Sequence, residues 1–182
     1  MDWQFVLVQS IGVIAWLFIF VSFYRKNTDK ILIFQVIASL LYCVHYYFLE
    51  AYSGLLMCAL AAIFDYAYYK TDKDKYLYWV SIPLRIMCGM FSYKTIIDVL
   101  PIIASLLDGY ILTKEKKIVV FGAIIYYSLW VIYNIFVGSY SGVITDMILV
   151  LSNLGILLFN YNIFDNKGLK KIFNSKGNYK VR

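Results

Sequence analysis

The sequence predicts an all-α membrane protein: seven transmembrane helices set out as two parallel three-helix repeats around a joining helix, with the N-terminus outside and the C-terminus cytoplasmic. Three observations lead there. Of 182 residues, 62% are hydrophobic and the mean hydropathy is +0.71, more apolar surface than one soluble core of this size hides. The apolar runs suit helices of roughly 20 residues crossing a ~30 Å hydrocarbon layer and are too long for the strands of a barrel. Charged residues gather in the short connections and the C-terminal stretch, and they sort to one side when the spans alternate.

In order, the predicted spans run from about Phe5 to Tyr24, Ile31 to Leu49, Gly54 to Tyr69, Tyr76 to Phe91, Ile96 to Leu112, Ile118 to Val137 and Gly142 to Tyr161. Asp2 stands where a signal peptide carries basic residues, and no small-residue cleavage signature follows, so the first run is expected to stay as a span. The third and fourth are short, and Lys70 and Lys94 at their ends have stems that can snorkel. A six-span variant stays open if the fourth is re-entrant. Trp3, Tyr52, Trp79 and Tyr140 fall near the expected interfaces, where an amphipathic ring is at home.

Alternating the loops puts Arg25, Lys26, Lys30, Lys70, Lys73, Lys75, Lys114, Lys116 and Lys117 on one side with the basic tail, and leaves Lys94 on the other. The positive-inside rule makes the lysine-rich side cytoplasmic, which requires an odd number of spans. The tail, residues 162–182, carries Lys167, Lys170, Lys171, Lys176, Lys180 and Arg182; it reads as a topology signal or as a contact for anionic lipid. The formal charge of +6 is thus orientation rather than a nucleic-acid surface. Cys43, Cys58 and Cys88 are odd in number and lie inside apolar runs, so they read as packing residues.

Tyr52-Ser53-Gly54 recurs as Tyr140-Ser141-Gly142. The same offset lays Ile14 on Ile102, Lys26 on Lys114, Ile37 on Ile125, Leu41 on Leu129 and Phe48 on Phe136 without a gap. The expected division is residues 1–70 as the first three-helix repeat, 71–94 as a linker helix, 95–161 as the second repeat and 162–182 as the tail. Three spans are odd, so the linker helix restores a parallel orientation and predicts a pseudo-two-fold axis along the membrane normal.

Gln9-Ser10-Ile11-Gly12-Val13-Ile14-Ala15, Leu100-Pro101-Ile102-Ile103 and Trp130-Val131-Ile132-Tyr133-Asn134, followed by Gly138-Ser139 and by residues 146–153, make the chain similar to the YgjV-type bacterial inner-membrane proteins up to about Tyr161. Its layout also resembles the SWEET sugar facilitators and PnuC vitamin transporters. The proline-glutamine pair of many SWEET relatives is absent; Pro101 stands in a comparable place and Val13 at the repeat-related one. The SWEET resemblance implies a substrate-binding asparagine on the third helix of each repeat, a pattern that Asn153 fits and Asp65 departs from.

An ionisable side chain inside a span costs several kcal/mol unless paired or hydrated, so each such residue is a candidate. Counting along the helices places His45, Tyr133, Asn134 and Asp146 near the outer third, and Gln35, Asp65, Arg85, Asp108 and Asn153 nearer the middle and inner third. Asp146 and Asn153 share a stripe of the last helix. Asp65 superposes on Asn153 and either joins it in gripping a small polar solute or pairs with Arg85. His45 and Asp108 are the proton-coupling candidates: His45 either relays protons with Asp146 or bonds a backbone carbonyl, and Asp108 is close enough to the cytoplasmic end to be wetted. Asp98, with Lys94 at i−4, reads as an interfacial pair. Trp16 and Trp130 lie far enough from the loops to stack on a solute, whereas interfacial enrichment explains most other aromatics. Ala59, Ala61, Ala62 and Gly155 suit close helix packing.

The substrate-binding set is therefore Asp65, Asn153, Asp146, Asn134, Trp16 and Trp130. The expected activity is transport of a small polar metabolite, sugar, nucleoside or vitamin-like, by rocking of two bundles; the alternative is a non-transporting receptor or assembly factor that uses the tail. No enzyme is expected, since neither HExxH nor a Ser-His or Cys-His pairing is evident. No cofactor or metal is expected either, a lone His and scattered carboxylates being too few convergent ligands. The expected partners are the solute and lipid, without nucleic acid, and a homo-oligomer is compatible with the sequence.

Overall fold

The computed structural model describes residues 3–25, 28–71, 74–111 and 116–159. The basic tail and Lys26, Lys73 and Lys114 lie outside the described residues. Among these described residues seven α-helices follow one another: α1 (Trp3–Phe23), α2 (Thr28–Phe48), α3 (Tyr52–Lys70), α4 (Asp74–Ser92), α5 (Val99–Ile111), α6 (Lys116–Val137) and α7 (Tyr140–Phe159). These bounds fall within a few residues of the predicted spans. Trp3–Ser22, Asp29–Phe48, Ile118–Val137 and Tyr140–Leu158 are long and apolar enough to cross a membrane. At 19 residues each, α3 and α4 fall short in composition, and α5, at 13 residues, in length.

The links between helices explain where the ends fall. After α2, Glu50 takes a left-handed conformation (φ 55°), and the Ala51 N–H donates to the Tyr46 carbonyl at 3.0 Å. After α6, Gly138 does the same (φ 72°), and the Ser139 N–H donates to the Asn134 carbonyl at 2.9 Å. Each closes orphan carbonyls at a helix end and turns the chain straight into the next helix. α5 starts later than the predicted Ile96 because Thr95 and Asp98 close a capping box over a 3-10 turn, Ile96–Asp98. α4 runs as one continuous helix through Pro83, which lacks the N–H for one rung of its ladder.

α1 packs on α2 and α2 on α3; α5 packs on α6 and α6 on α7. The seams α1/α7 and α3/α5 join the two sets into a ring, and α4 bridges α3 and α5 from outside. Inside lie Ala15, Tyr42, Tyr46, Met57, Leu60, Phe64, Ala104, Trp130 and Tyr133. The outer faces are apolar too: Phe91, Met90, Leu158, Phe136 and Leu151 are largely exposed, as a lipid-facing surface requires.

Gly155 has open space around its Cα, so the expectation that it permits close packing is corrected. Close approach occurs instead at Gly54 and Gly142. A Cβ at Gly54 would press on the Tyr133 ring and hydroxyl, and one at Gly142 would strike the Ser139 hydroxyl and the Asn134 amide. The glycine of the recurring Tyr-Ser-Gly tripeptide therefore lets a side chain of α6 or its following turn come against the start of a helix.

Candidate functional site

Many of the buried polar side chains converge at one end of the ring, the end that carries Lys94 and is poor in cations among the described residues. There the C-terminal turns of α2 and α6 meet the N-terminal turns of α3 and α7. A helix start has N–H groups without intrahelical partners, and burial makes their satisfaction obligatory.

The start of α3 is capped from α6 and from the turn before α5. The Gly54 N–H donates to the Tyr133 hydroxyl at 3.0 Å. Ser53 Oγ donates to Asp98 Oδ1 at 2.5 Å, so its remaining bond, 2.9 Å to Tyr133, takes the phenol as donor. This chain of donors ends on a carboxylate, whose second oxygen accepts the Lys94 and Thr95 amides at 3.0 and 2.8 Å. Burial opposes the charge of Asp98, but the bonds from Ser53, Thr95 and Lys94 outweigh it and hold the carboxyl below its ordinary range. The expected ion pair of Asp98 with Lys94 is corrected: the backbone N–H of Lys94 meets the carboxylate, while its ammonium lies 4.3 Å over the Tyr52 ring.

The start of α7 is capped from α2 and α1. His45 Nδ1 donates to the Val8 carbonyl at 2.8 Å, which leaves Nε2 to accept from the Ser139 hydroxyl at 2.8 Å. Gln9 uses both ends of its amide, donating to the Gly138 carbonyl at 2.9 Å and accepting the Ser141 N–H at 3.0 Å. With both ring nitrogens engaged there, His45 bonds the backbone carbonyl and does not form the relay with Asp146.

Between these caps runs a third connection. The Tyr46 hydroxyl donates to Asn134 Oδ1, and Asn134 Nδ2 donates to Asp146 Oδ2, both at 2.8 Å. Two of the residues singled out from sequence, Asn134 and Asp146, are thus brought together. Trp130 joins them: its ring stacks on Tyr46 at 5.9 Å between centroids and meets Tyr133 edge-on at 5.7 Å. Trp130 Nε1 is buried without a hydrogen-bond partner among the described residues.

The other candidates lie elsewhere. Trp16 is half-buried beside Phe20 of its own helix. Asn153 folds back to donate to the Leu149 carbonyl at 2.8 Å. Asp65 and Asp108 are half-buried on α3 and α5. Arg85 donates to the Ser105 carbonyl at 2.5 Å and lies 5.9 Å over the Phe64 ring. All three cysteines are free thiols.

Sequence reasoning missed Ser53, Ser139, Ser141, Gln9 and Tyr46. For Ser53 and Ser141 the signal was the recurring tripeptide, whose serine and glycine mark the two capped helix starts; Gln9, Tyr46 and Ser139 carry no such mark. Compared with known proteins, the chain matches the family model Imp-YgjV, described as bacterial inner membrane protein, over residues 6–161. No curated protein and no solved structure matches it.

Proposed function

We propose, from the premise that this chain belongs to the Imp-YgjV family of bacterial inner membrane proteins, that it carries a small polar metabolite across that membrane. It is a multi-pass protein of the inner membrane. The observation that carries the reading is the Tyr46–Asn134–Asp146 chain, which places a carboxylate, an amide and a phenol at the seam between α1–α3 and α5–α7. Hydrophilic groups are costly at such a place unless paired or hydrated, and those found there commonly mark a solute or ion pathway.

Support for a duplicated architecture comes from the helices themselves. Tyr46 and Asn134 are 88 residues apart, and at that offset the bounds of α2 and α3 fall within one residue of those of α6 and α7. The same offset relates Glu50 to Gly138, the two left-handed residues. On this reading two parallel three-helix units rock about the seam, in the manner of SWEET and PnuC proteins, with the lysine-poor end outside and the lysine-rich end cytoplasmic. On the same reading Asp146, Asn134 and Trp130 form the upper part of the solute path, and Asp65, Asp108 and Asn153 would line it further in. A carboxylate with an aromatic face suits a cationic or hydroxyl-rich solute.

Flux into proteoliposomes tests the reading with a panel of sugars, nucleosides, vitamins and amines. Saturable uptake that Asp146→Asn and Asn134→Ala each reduce at least tenfold is expected. Absence of saturable uptake across the panel, or uptake indifferent to both substitutions, would remove the reading's support.

A further inference from the structure

We propose that the lysine-poor end is a closed gate, held by crossed latches in which each half of the molecule caps a helix start of the other. The proposal rests on the transport reading for its purpose, though its geometry and its test do not require a solute.

The argument starts from which side chains bridge the halves. From α6, Tyr133 reaches Ser53 and Gly54 at the start of α3, and from the turn before α5, Asp98 reaches the same Ser53. From α2, His45 reaches Ser139, and from α1, Gln9 reaches Gly138 and Ser141 at the start of α7. His45 and Tyr133 stand at the same offset as Tyr46 and Asn134, one residue earlier in each helix. His45 and Tyr133 are thus matching residues that each reach a serine beside a helix start of the other half, with an imidazole in one latch and a phenol backed by a carboxylate in the other, although the serines they reach, Ser139 and Ser53, do not match at that offset. His45, Ser53, Tyr133 and Ser139 are fully buried, so water does not reach these bonds while the end is shut.

Such bonds suit a gate better than a permanent seam. An apolar seam re-forms in any register that buries it, whereas helix N–H groups and hydroxyls accept one pairing, and water can replace that pairing once the halves part. Tyr46–Asn134 lies between the latches, so separation of α1 from α7 and of α3 from α5 would open directly above Asp146.

Cys58 provides a native reporter: it lies one turn beyond Gly54 on α3 and packs against the buried cluster that holds Tyr46, Trp130 and Tyr133. In a Cys43→Ser/Cys88→Ser background, the rate at which a membrane-impermeant maleimide modifies Cys58 is measured from each face. Slow modification from the lysine-poor face is expected for the parent. Adding Tyr133→Phe and Ser139→Ala, which remove latch hydroxyls at little cost in volume, should raise that rate roughly tenfold, the scale on which loss of two hydrogen bonds shifts a two-state equilibrium. A disulfide between Phe5→Cys and Tyr140→Cys, whose native rings are 5.7 Å apart across the α1/α7 seam, should cancel the increase. Efficient formation of that disulfide also reports that the latch variant retains its fold. If the latch variant does not fold, Asp98→Asn alone serves, with a smaller rise expected. An unchanged rate in the folded variant, or a rise that the disulfide leaves intact, overturns the gate. A rate that responds as expected without any saturable flux keeps the gate and sinks the transport reading.

Discussion

Tyr46 and Asn134 occupy matching places near the ends of α2 and α6, 88 residues apart, and they hydrogen-bond directly to each other at 2.8 Å. The bond ties the end of α2 to the end of α6, and it fixes what should happen when either partner is changed.

Tyr46→Phe removes the donor and leaves Asn134 Oδ1 buried without its phenol, at a cost of about 1–3 kcal/mol. Asn134→Ala costs more, because it strands both the Tyr46 hydroxyl and Asp146 Oδ2. Thermal unfolding in detergent is the measurement, and the double variant should be less destabilised than the sum of the two. Additive effects would show that the bond contributes nothing of its own.

The two left-handed turns give opposite predictions. Exposed Glu50 holds φ 55° against the clash of its Cβ, so Glu50→Gly should stabilise the protein by about 1 kcal/mol. Gly138 at φ 72° holds the same place without that clash, and Gly138→Ala should destabilise it by a similar amount. The apparent Tm of the pair should therefore move up and down respectively. Shifts of the same sign would contradict the matching of the turns.

Much of the fold was legible because lipid leaves the chain little choice: apolar runs of helical length, punctuated by basic loops, fix where helices begin and end. Depth was legible too, since residue count along a helix measures it, and Asn134 and Asp146 do meet. Rotation of each helix about its own axis was not, because it depends on packing between distant segments. His45 stands near the depth of Asp146 yet faces Val8 and Ser139. Asp98 was misread for a local reason. An i, i+4 pair meets side chain to side chain only on a helix, and residues 94–98 form a capped turn in which the backbone of Lys94 reaches the carboxylate first.

Asp98 should contribute acid sensitivity to the lysine-poor end. Its folded carboxyl lies below the ordinary range, so the charged form is favoured by folding. That contribution is fully present above the unfolded-state value of about 4 and is lost as pH falls through the lower folded-state value. Unfolding followed from pH 7 downward should show the parent losing stability below about pH 4. Asp98→Asn should begin less stable and lose less over the same window. Parallel curves for the two would place the acid sensitivity elsewhere.

Trp130 separates stability from function. Its ring packs on Tyr46 and Tyr133, while its buried Nε1–H has no acceptor among the described residues, an omission that costs about 1–3 kcal/mol. Trp130→Phe keeps an aromatic face against Tyr46 and deletes the orphan donor; the smaller ring leaves a void whose cost acts in the opposite direction. Without solute, the stability of the variant should stay within about 1 kcal/mol of the parent, because these terms offset. If the solute supplies the missing acceptor when the seam opens, the same substitution should reduce saturable flux about tenfold, the loss expected for one hydrogen bond made only to the bound molecule. Unfolding without solute and uptake with it, measured on the same preparation, decide the matter: a large loss of stability with unchanged flux would make Trp130 a packing residue and remove it from the solute path.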